Sequence, residues 1–316
     1  MNSVHLENGR VSIRQRPRPR RPAGSALIRL LCGGICNTDL ELQRGYYGFR
    51  GTPGHEFVGE VVEAGTASLV GRRVVGEINI SCGTCAWCRR GLGRHCPERE
   101  VLGIVRRPGA FSEYFVLPER NLRAIPASIP TESAVFTEPL AAACEILEQV
   151  SLPRGAQVAI LGDGKLGLLV AQVLQLSGKE AHLFGRHKEK LAIADAVGVK
   201  VDLGRKSLPA RAFDWVVEAT GSPEGLRQAV SMVRPRGTVV IKSTVHGLVS
   251  MDAAHIVVDE ITIIGSRCGR FEPALRLLRG GRLNLAAMIT ARLPLTEAPQ
   301  AFDLAAARRS LKVLLV

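Results

Sequence analysis

Cys82, Cys85, Cys88 and Cys96 stand at the spacing C-x2-C-x2-C-x7-C. Thiolates at this spacing can close tetrahedrally on one zinc ion and leave no position on it free. Such a site staples a loop but performs no reaction. The other uses of such cysteines are a disulfide cluster or a redox pair. Both suit the chain poorly, because Met1-Asn2-Ser3-Val4-His5 lacks the basic stretch and apolar block of a secretory leader, and a cytoplasmic location is expected. Reactive groups are therefore sought elsewhere. Cys36 lies in Gly33-Gly34-Ile35-Cys36-Asn37-Thr38-Asp39, and His55 and Glu56 in Thr52-Pro53-Gly54-His55-Glu56. Cysteine and histidine are good zinc ligands and glutamate an acceptable third. Glu138, in Phe136-Thr137-Glu138-Pro139-Leu140, is a second acidic candidate at the junction of the two halves of the chain. On spacing alone the evidence for this set is modest, because lone cysteines and histidines are more often structural.

A second chemical signal is Gly162-Asp163-Gly164-Lys165-Leu166-Gly167, a G-x-G-x-x-G pattern. By itself the pattern is weak. Here it follows an expected buried strand, Gln157 to Leu161, and opens a helix on which Leu166, Leu169, Val170, Val173 and Leu174 recur at helical spacing. Gly162 then permits a tight turn, Gly164 lets the backbone approach a pyrophosphate, and Gly167 lets the helix pack closely on the sheet. The free N–H groups at the helix start, with Lys165 beside them, suit phosphates. An NAD-preferring site usually places Asp or Glu at the end of the second strand. This chain reads Leu183-Phe184-Gly185-Arg186-His187-Lys188 there, with no carboxylate and three basic residues after a glycine. Arg186 can pair with a 2′-phosphate, which predicts NADP preference. The competing reading makes Arg186 a surface residue and lets NAD bind with weak discrimination.

These residues need two kinds of scaffold. The first 120 or so residues carry short apolar runs such as Val58–Val62 and Arg73–Gly76 between turns, a β-rich domain around the cysteine loop. An alanine-rich helical pattern runs from Glu132 to Val150. Strands and helices then alternate: strands are expected at Ala181–Phe184, Val199–Leu203, Asp214–Glu218, Thr238–Ile241 and Ile261–Ile264, and a helix at His187–Val197 stopped by Gly198. That alternation implies a parallel sheet with helices on both faces.

The chain has 316 residues, enough for two domains, and no apolar run reaches membrane-spanning length. Its net charge of +13 raises nucleic acid, membrane surface or phosphorylated small molecules as partners. The densest basic run, Arg14 to Arg21, is broken by Pro17 and Pro19 and reads as an extended loop rather than a groove-reading helix. Aromatic content of 4% offers few stacking platforms for bases, so neither nucleic acid nor membrane is expected as a partner.

Taken in order, G-I-C-N-T-D (34–39), P-G-H-E (53–56), the four-cysteine loop (82–96), E-P-L-A (138–141), G-D-G-K-L-G (162–167) and E-A-T-G (218–221) resemble the medium-chain, zinc-dependent alcohol dehydrogenase family. Within that family the chain resembles more closely the polyol, threonine and glucose dehydrogenase branches. The resemblance covers nearly the whole chain. It implies an α/β protein: a GroES-like β-barrel catalytic domain (1–125 and 266–316) and a Rossmann domain with a doubly wound parallel sheet (126–265). It also implies that Cys36, His55 and Glu138 hold a catalytic zinc, with Glu56 a nearby carboxylate able to exchange onto the metal, and that the four cysteines hold a second, structural zinc. Thr38 falls where relatives carry the hydroxyl that relays the proton. Gly162, Gly164, Lys165, Leu166, Gly167, Gly185, Arg186 and Thr220 are the implied cofactor contacts. Relatives often complete the relay with a histidine where this chain has Glu41, so the proton ends on Glu41 or passes to water. A small alcohol or polyol substrate and a homo-oligomer, dimer or tetramer, are the implied partners. The glutamate ligand favours polyols, sugars or hydroxy amino acids over simple alcohols.

Two other classes stay open on the sequence. One keeps the fold without metal chemistry, as in zinc-free quinone and enoyl reductases. The other makes the cysteine loop a zinc-ribbon nucleic-acid module. Retention of Cys36, His55 and Glu138 disfavours the first, and the glycine fingerprint within a continuous α/β pattern disfavours the second.

Overall fold

A computed structural model describes residues 1–153, 155–204, 208–244 and 248–316; His246, for which the sequence suggests no partner, lies outside them. The chain divides into two compact units, Met1–Glu138 with Met288–Val316, and Pro139–Ala287.

The first unit is built on a seven-stranded sheet. Its path runs Leu122–Ala124, Arg73–Gly76, Glu56–Glu63, Ser25–Gly34, Lys312–Leu315 and Ile289–Leu293, with Tyr114–Pro118 also paired to the long Ser25–Gly34 strand. Close packing fixes several glycines: a Cβ on Gly59 would lie 2.2 Å from the Ile28 side chain. The core gathers Val4, Ile35, Phe111, Phe302, Val313 and Leu315. Because Lys312–Leu315 runs antiparallel to Ser25–Gly34, pairing Leu314 with Gly34, the last residues of the chain lie beside the segment that carries Cys36. The basic surface is laced with ion pairs such as Arg18–Glu63 and Arg29–Glu60, each at 2.7 Å. Exposed pairs of this kind add little to stability.

The second unit holds a six-stranded, wholly parallel sheet in the order Lys200–Leu203, Glu180–Gly185, Gln157–Leu161, Phe213–Glu218, Val233–Ile241, Thr262–Gly265. Counted along the chain this is 3-2-1-4-5-6, the doubly wound order of dinucleotide-binding sheets. The expected strands are present, Gln157–Leu161 with the expected bounds and the others with one or both ends shifted, and the helix after the second strand spans Lys188–Asp195. Gly198, at φ +84°, stands in the left-handed region beyond it. In the Phe271–Gly280 helix, Phe271, Ala274 and Leu278 are buried at helical spacing. No helix among the described residues is long and apolar enough to cross a membrane.

The helical pattern at Glu132–Val150 forms two helices, Thr131–Ala134 and Thr137–Gln149. Pro139 lacks the N–H that would bond back to residue 135, so it is accommodated in the first turn of a new helix instead. Thr137 Oγ1 donates to the Ala134 carbonyl across the break at 2.6 Å.

Candidate active site and metal centres

The cysteine loop is closed at its base by the short pairing of Asn79–Ile80 with Glu100–Leu102. Between these strands the four sulfurs converge, with Cys85–Cys88 at 3.4 Å, Cys82–Cys96 at 3.6 Å, and Cys82–Cys88 and Cys85–Cys96 at 3.8 Å. Four thiolates on one zinc at about 2.3 Å define a tetrahedron whose edge is about 3.8 Å. The spacing fits that ion and is far too long for disulfides, and all four cysteines are free. The N–H groups of Thr84 and Cys85, together with the Thr84 hydroxyl and Cys96, hold the Cys82 thiol down at about 6. Four thiols this close cannot all ionise without a cation, so metal binding would release protons from them.

Cys36, His55 and Glu56 form a second group, their ligand atoms all within 4.8 Å of one another. Cys36 caps the Asn37–Gln43 helix and sits where the Ser25–Gly34 strand ends. Asp39, wholly buried, ties the two ligand segments together. Its Oδ2 accepts the Cys36 N–H at 2.8 Å and its Oδ1 accepts the Gly54 N–H at 3.2 Å. The same Oδ1 lies 3.5 Å from His55 Nδ1. Burial pulls the His55 imidazole pKa down, but the Asp39 carboxylate and the Cys36 sulfur outweigh it and hold that pKa well above its ordinary value. Cys36 Sγ and Thr38 Oγ1 are 3.8 Å apart. Glu41 pairs with Arg44 one turn along the same helix.

Glu56 is wholly buried at the start of its strand, and its Oε1 has no hydrogen-bond partner. A buried carboxylate oxygen without a donor is costly unless a cation meets it, so the donor set fits a metal. Oε2 is taken by Lys312 Nζ in a short ion pair. Lys312 itself is buried, with its ammonium 5.6 Å from the centre of the Phe136 ring. Burial would lower its pKa, but Glu56, Cys36 and Glu138 raise it, so the ammonium stays charged. Glu138, second residue of the Thr137–Gln149 helix, is thus within electrostatic reach of Lys312 but stands outside the 4.8 Å trio. Gly34 is fixed by this cluster, because a Cβ there would lie 2.6 Å from Glu56 Oε2. Sequence reasoning missed Lys312; its one signal is a lone lysine amid the apolar run Leu311–Leu315.

In the second unit, Gly162 takes φ +111°, and a Cβ on it would lie 2.6 Å from the Ala219 carbonyl oxygen. A Cβ on Gly167 would come within 1.9 Å of the Gly162 oxygen. Gly164 faces open space at the start of the Lys165–Leu176 helix, which is the cradle a pyrophosphate needs. Lys165 and Leu166 open that helix. Thr220 is held by buried Glu218, whose Oε1 accepts both its N–H and its hydroxyl at 2.6 Å. Gly185 ends the second strand, and Arg186 after it is exposed. Asp163 reaches this turn and accepts the N–H groups of Arg186 and His187 at 2.6 and 2.7 Å.

A parallel sheet wound in this order with a glycine cradle, joined to a β-rich unit bearing a thiol–imidazole–carboxylate centre, defines the class: a dinucleotide-binding protein with a centre that could hold a metal ion. Residues 22–127 match the family model for the alcohol dehydrogenase GroES-like domain, and residues 166–280 that for zinc-binding dehydrogenases. L-threonine 3-dehydrogenase from Coxiella burnetii is 31% identical over 95% of this chain and 94% of its own length. Sorbitol dehydrogenase from Halalkalibacterium halodurans is 28% identical over 97% and 96%. A Sinorhizobium meliloti structure assigned as a zinc-binding dehydrogenase, bound to NADP, is 31% identical with a TM-score of 0.91, covering 100% of this chain and 98% of that one. The chain belongs to the zinc-dependent, medium-chain alcohol dehydrogenase family.

Proposed function

We propose that this protein interconverts a polyol-type secondary alcohol and its ketone, with NADP preferred over NAD and two zinc ions per chain. The observation that carries the reading is the convergence of half-buried Cys36 with buried His55 and Glu56, together with the Glu56 oxygen that has no hydrogen-bond partner. A zinc held there by Cys36 and His55, with Glu138 or Glu56 as third ligand, would supply the positive charge that makes an alcohol proton easier to lose. The nicotinamide would take the hydride.

The chain's own residues do the rest. Thr38, beside Cys36, receives the proton and passes it to Glu41 or to solvent. Asp39 keeps the Cys36 and His55 segments in register. Lys312 occupies one oxygen of Glu56, so only the other is available for exchange onto the metal. The N–H groups at the start of the Lys165–Leu176 helix bind the pyrophosphate over Gly162, Gly164 and Gly167. Leu166, Gly185 and Thr220 line the nucleotide, and exposed Arg186 meets the 2′-phosphate. Cys82, Cys85, Cys88 and Cys96 hold the second zinc. The polyol assignment is supported by the sorbitol dehydrogenase relative and by the glutamate at 138. A homo-oligomer is supported by the edge strand Thr262–Gly265 and by exposed Val257 and Val258 on the preceding helix.

The test is the rate of NADPH or NADH formation with polyols, aldoses, threonine and simple alcohols. Turnover of a polyol with NADP well above NAD is expected. Turnover with NAD alone would remove the assignment of Arg186, and no turnover by zinc-replete protein across the panel would remove the polyol reading.

A further inference from the structure

The carboxylate missing from the end of the second strand is present in space, supplied by the glycine-rich loop. Asp163 is nearly buried, and its Oδ2 accepts the N–H groups of Arg186 and His187. His187 Nδ1 lies 3.0 Å from both of its oxygens. Burial opposes ionisation of Asp163, but these donors win and keep its pKa below the ordinary carboxylate value. A Cβ on Gly185 would lie 2.6 Å from Asp163 Oδ2 and 2.7 Å from its Cβ. A carboxylate-bearing residue at 185 and an aspartate at 163 therefore exclude one another.

We propose that Asp163 is the positioning residue for cofactor discrimination. It pins the 185–187 turn to the glycine-rich loop, spends its own carboxylate on three donors rather than on a ribose hydroxyl, and so presents Arg186 from a fixed turn to a 2′-phosphate. With its oxygens taken by these two N–H groups and by His187, Asp163 does not draw the Arg186 guanidinium to itself, and Arg186 stays exposed. This rests on the NADP reading above. The swap of a strand-end carboxylate for a loop carboxylate is a relocation: the charge moves from where it would repel a 2′-phosphate to where protein donors neutralise it.

The test is calorimetric binding of 2′,5′-ADP and of 5′-AMP to the whole zinc-loaded protein, to Asp163→Ser, and to Asp163→Ser with Gly185→Asp, with Tm recorded for each. Wild type should bind 2′,5′-ADP more tightly, by about tenfold or more for a charge-assisted phosphate contact. Asp163→Ser should lose most of that ratio through weaker 2′,5′-ADP binding, with 5′-AMP little changed. The double variant should favour 5′-AMP, while Gly185→Asp alone should bind both poorly and melt lower. Retention of the wild-type ratio by a folded Asp163→Ser overturns the role of Asp163 and leaves the NADP reading intact. A wild type without preference for 2′,5′-ADP overturns the NADP reading, and this proposal with it. Should Asp163→Ser fail to fold, a double variant that still favours 2′,5′-ADP overturns the proposal.

Discussion

The two clusters of the first unit that could hold a metal ion are built on opposite plans. The cysteine lobe draws all four ligands from residues 82–96, spans exposed to buried positions, and has sulfurs spaced for a closed tetrahedron. The Cys36 centre draws its ligand atoms from two separate segments, is buried at His55 and Glu56, and carries a mixed donor set with one unpartnered oxygen. A carboxylate, Asp39, has to hold those segments in register, and a buried lysine has to neutralise Glu56. A closed, uniform cage formed by local chain needs little from the rest of the fold and yields only stability. An open, mixed centre needs the whole unit to assemble it and is available for chemistry.

The sharpest test of this contrast is a reciprocal pair of variants. Cys36→Ser should abolish turnover, lower zinc from two to one per chain by elemental analysis, and leave Tm nearly unchanged. Cys88→Ser should also remove one zinc but act chiefly by melting the lobe, seen as a large fall in Tm and proteolysis between residues 78 and 102. Equal effects of the two variants on both readouts would erase the distinction. Next in size, Lys312→Met leaves the Glu56 carboxylate buried and unpaired, which should cost about 3–5 kcal/mol of unfolding free energy in urea. Adding Glu56→Gln to that variant should recover most of the loss, because both charges then leave the core together. Asp39→Asn should weaken zinc binding or turnover by about 10–100-fold, the usual effect of removing a carboxylate behind a metal ligand. The same substitution should leave zinc in the lobe untouched, as read by metal analysis after dialysis against a mild chelator.

The smallest effect concerns two of the three remaining thiols, Cys32 and Cys144. Burial first of all, reinforced by Glu132 for Cys32 and by Glu148 for Cys144, pushes both up to about 12. A thiol with a raised pKa stays protonated until the pH nears that value, and only the thiolate reacts. At pH 8, peptide mapping after iodoacetamide treatment should show both residues unmodified in native protein, whereas Cys82, held down at about 6, should be labelled once zinc is stripped. Rapid labelling of Cys32 at that pH would mean that the core of the first unit opens.

Much of this was legible in the sequence wherever chemistry depends on local spacing. The C-x2-C-x2-C-x7-C run specified its own cage, because neighbouring residues cannot be far apart in space. Likewise the strand, G-D-G-K-L-G and amphipathic helix together specified a nucleotide cradle, since the turn, the free N–H groups and the helix start are all within one short segment. The identities of Cys36, His55 and Glu56 as metal-capable side chains could be read as well, but spacing did not say that they meet; only the family resemblance implied it. Tertiary structure alone decided what lies across strand pairings. Lys312 reaches Glu56 over a separation of 256 residues because the last strand runs antiparallel to Ser25–Gly34. Gly185 has no side chain because Asp163, from the adjacent parallel strand's loop, already fills the space. Sequence periodicity states which face of an element is buried, but register states which residue it meets, and register is fixed only when the whole sheet closes.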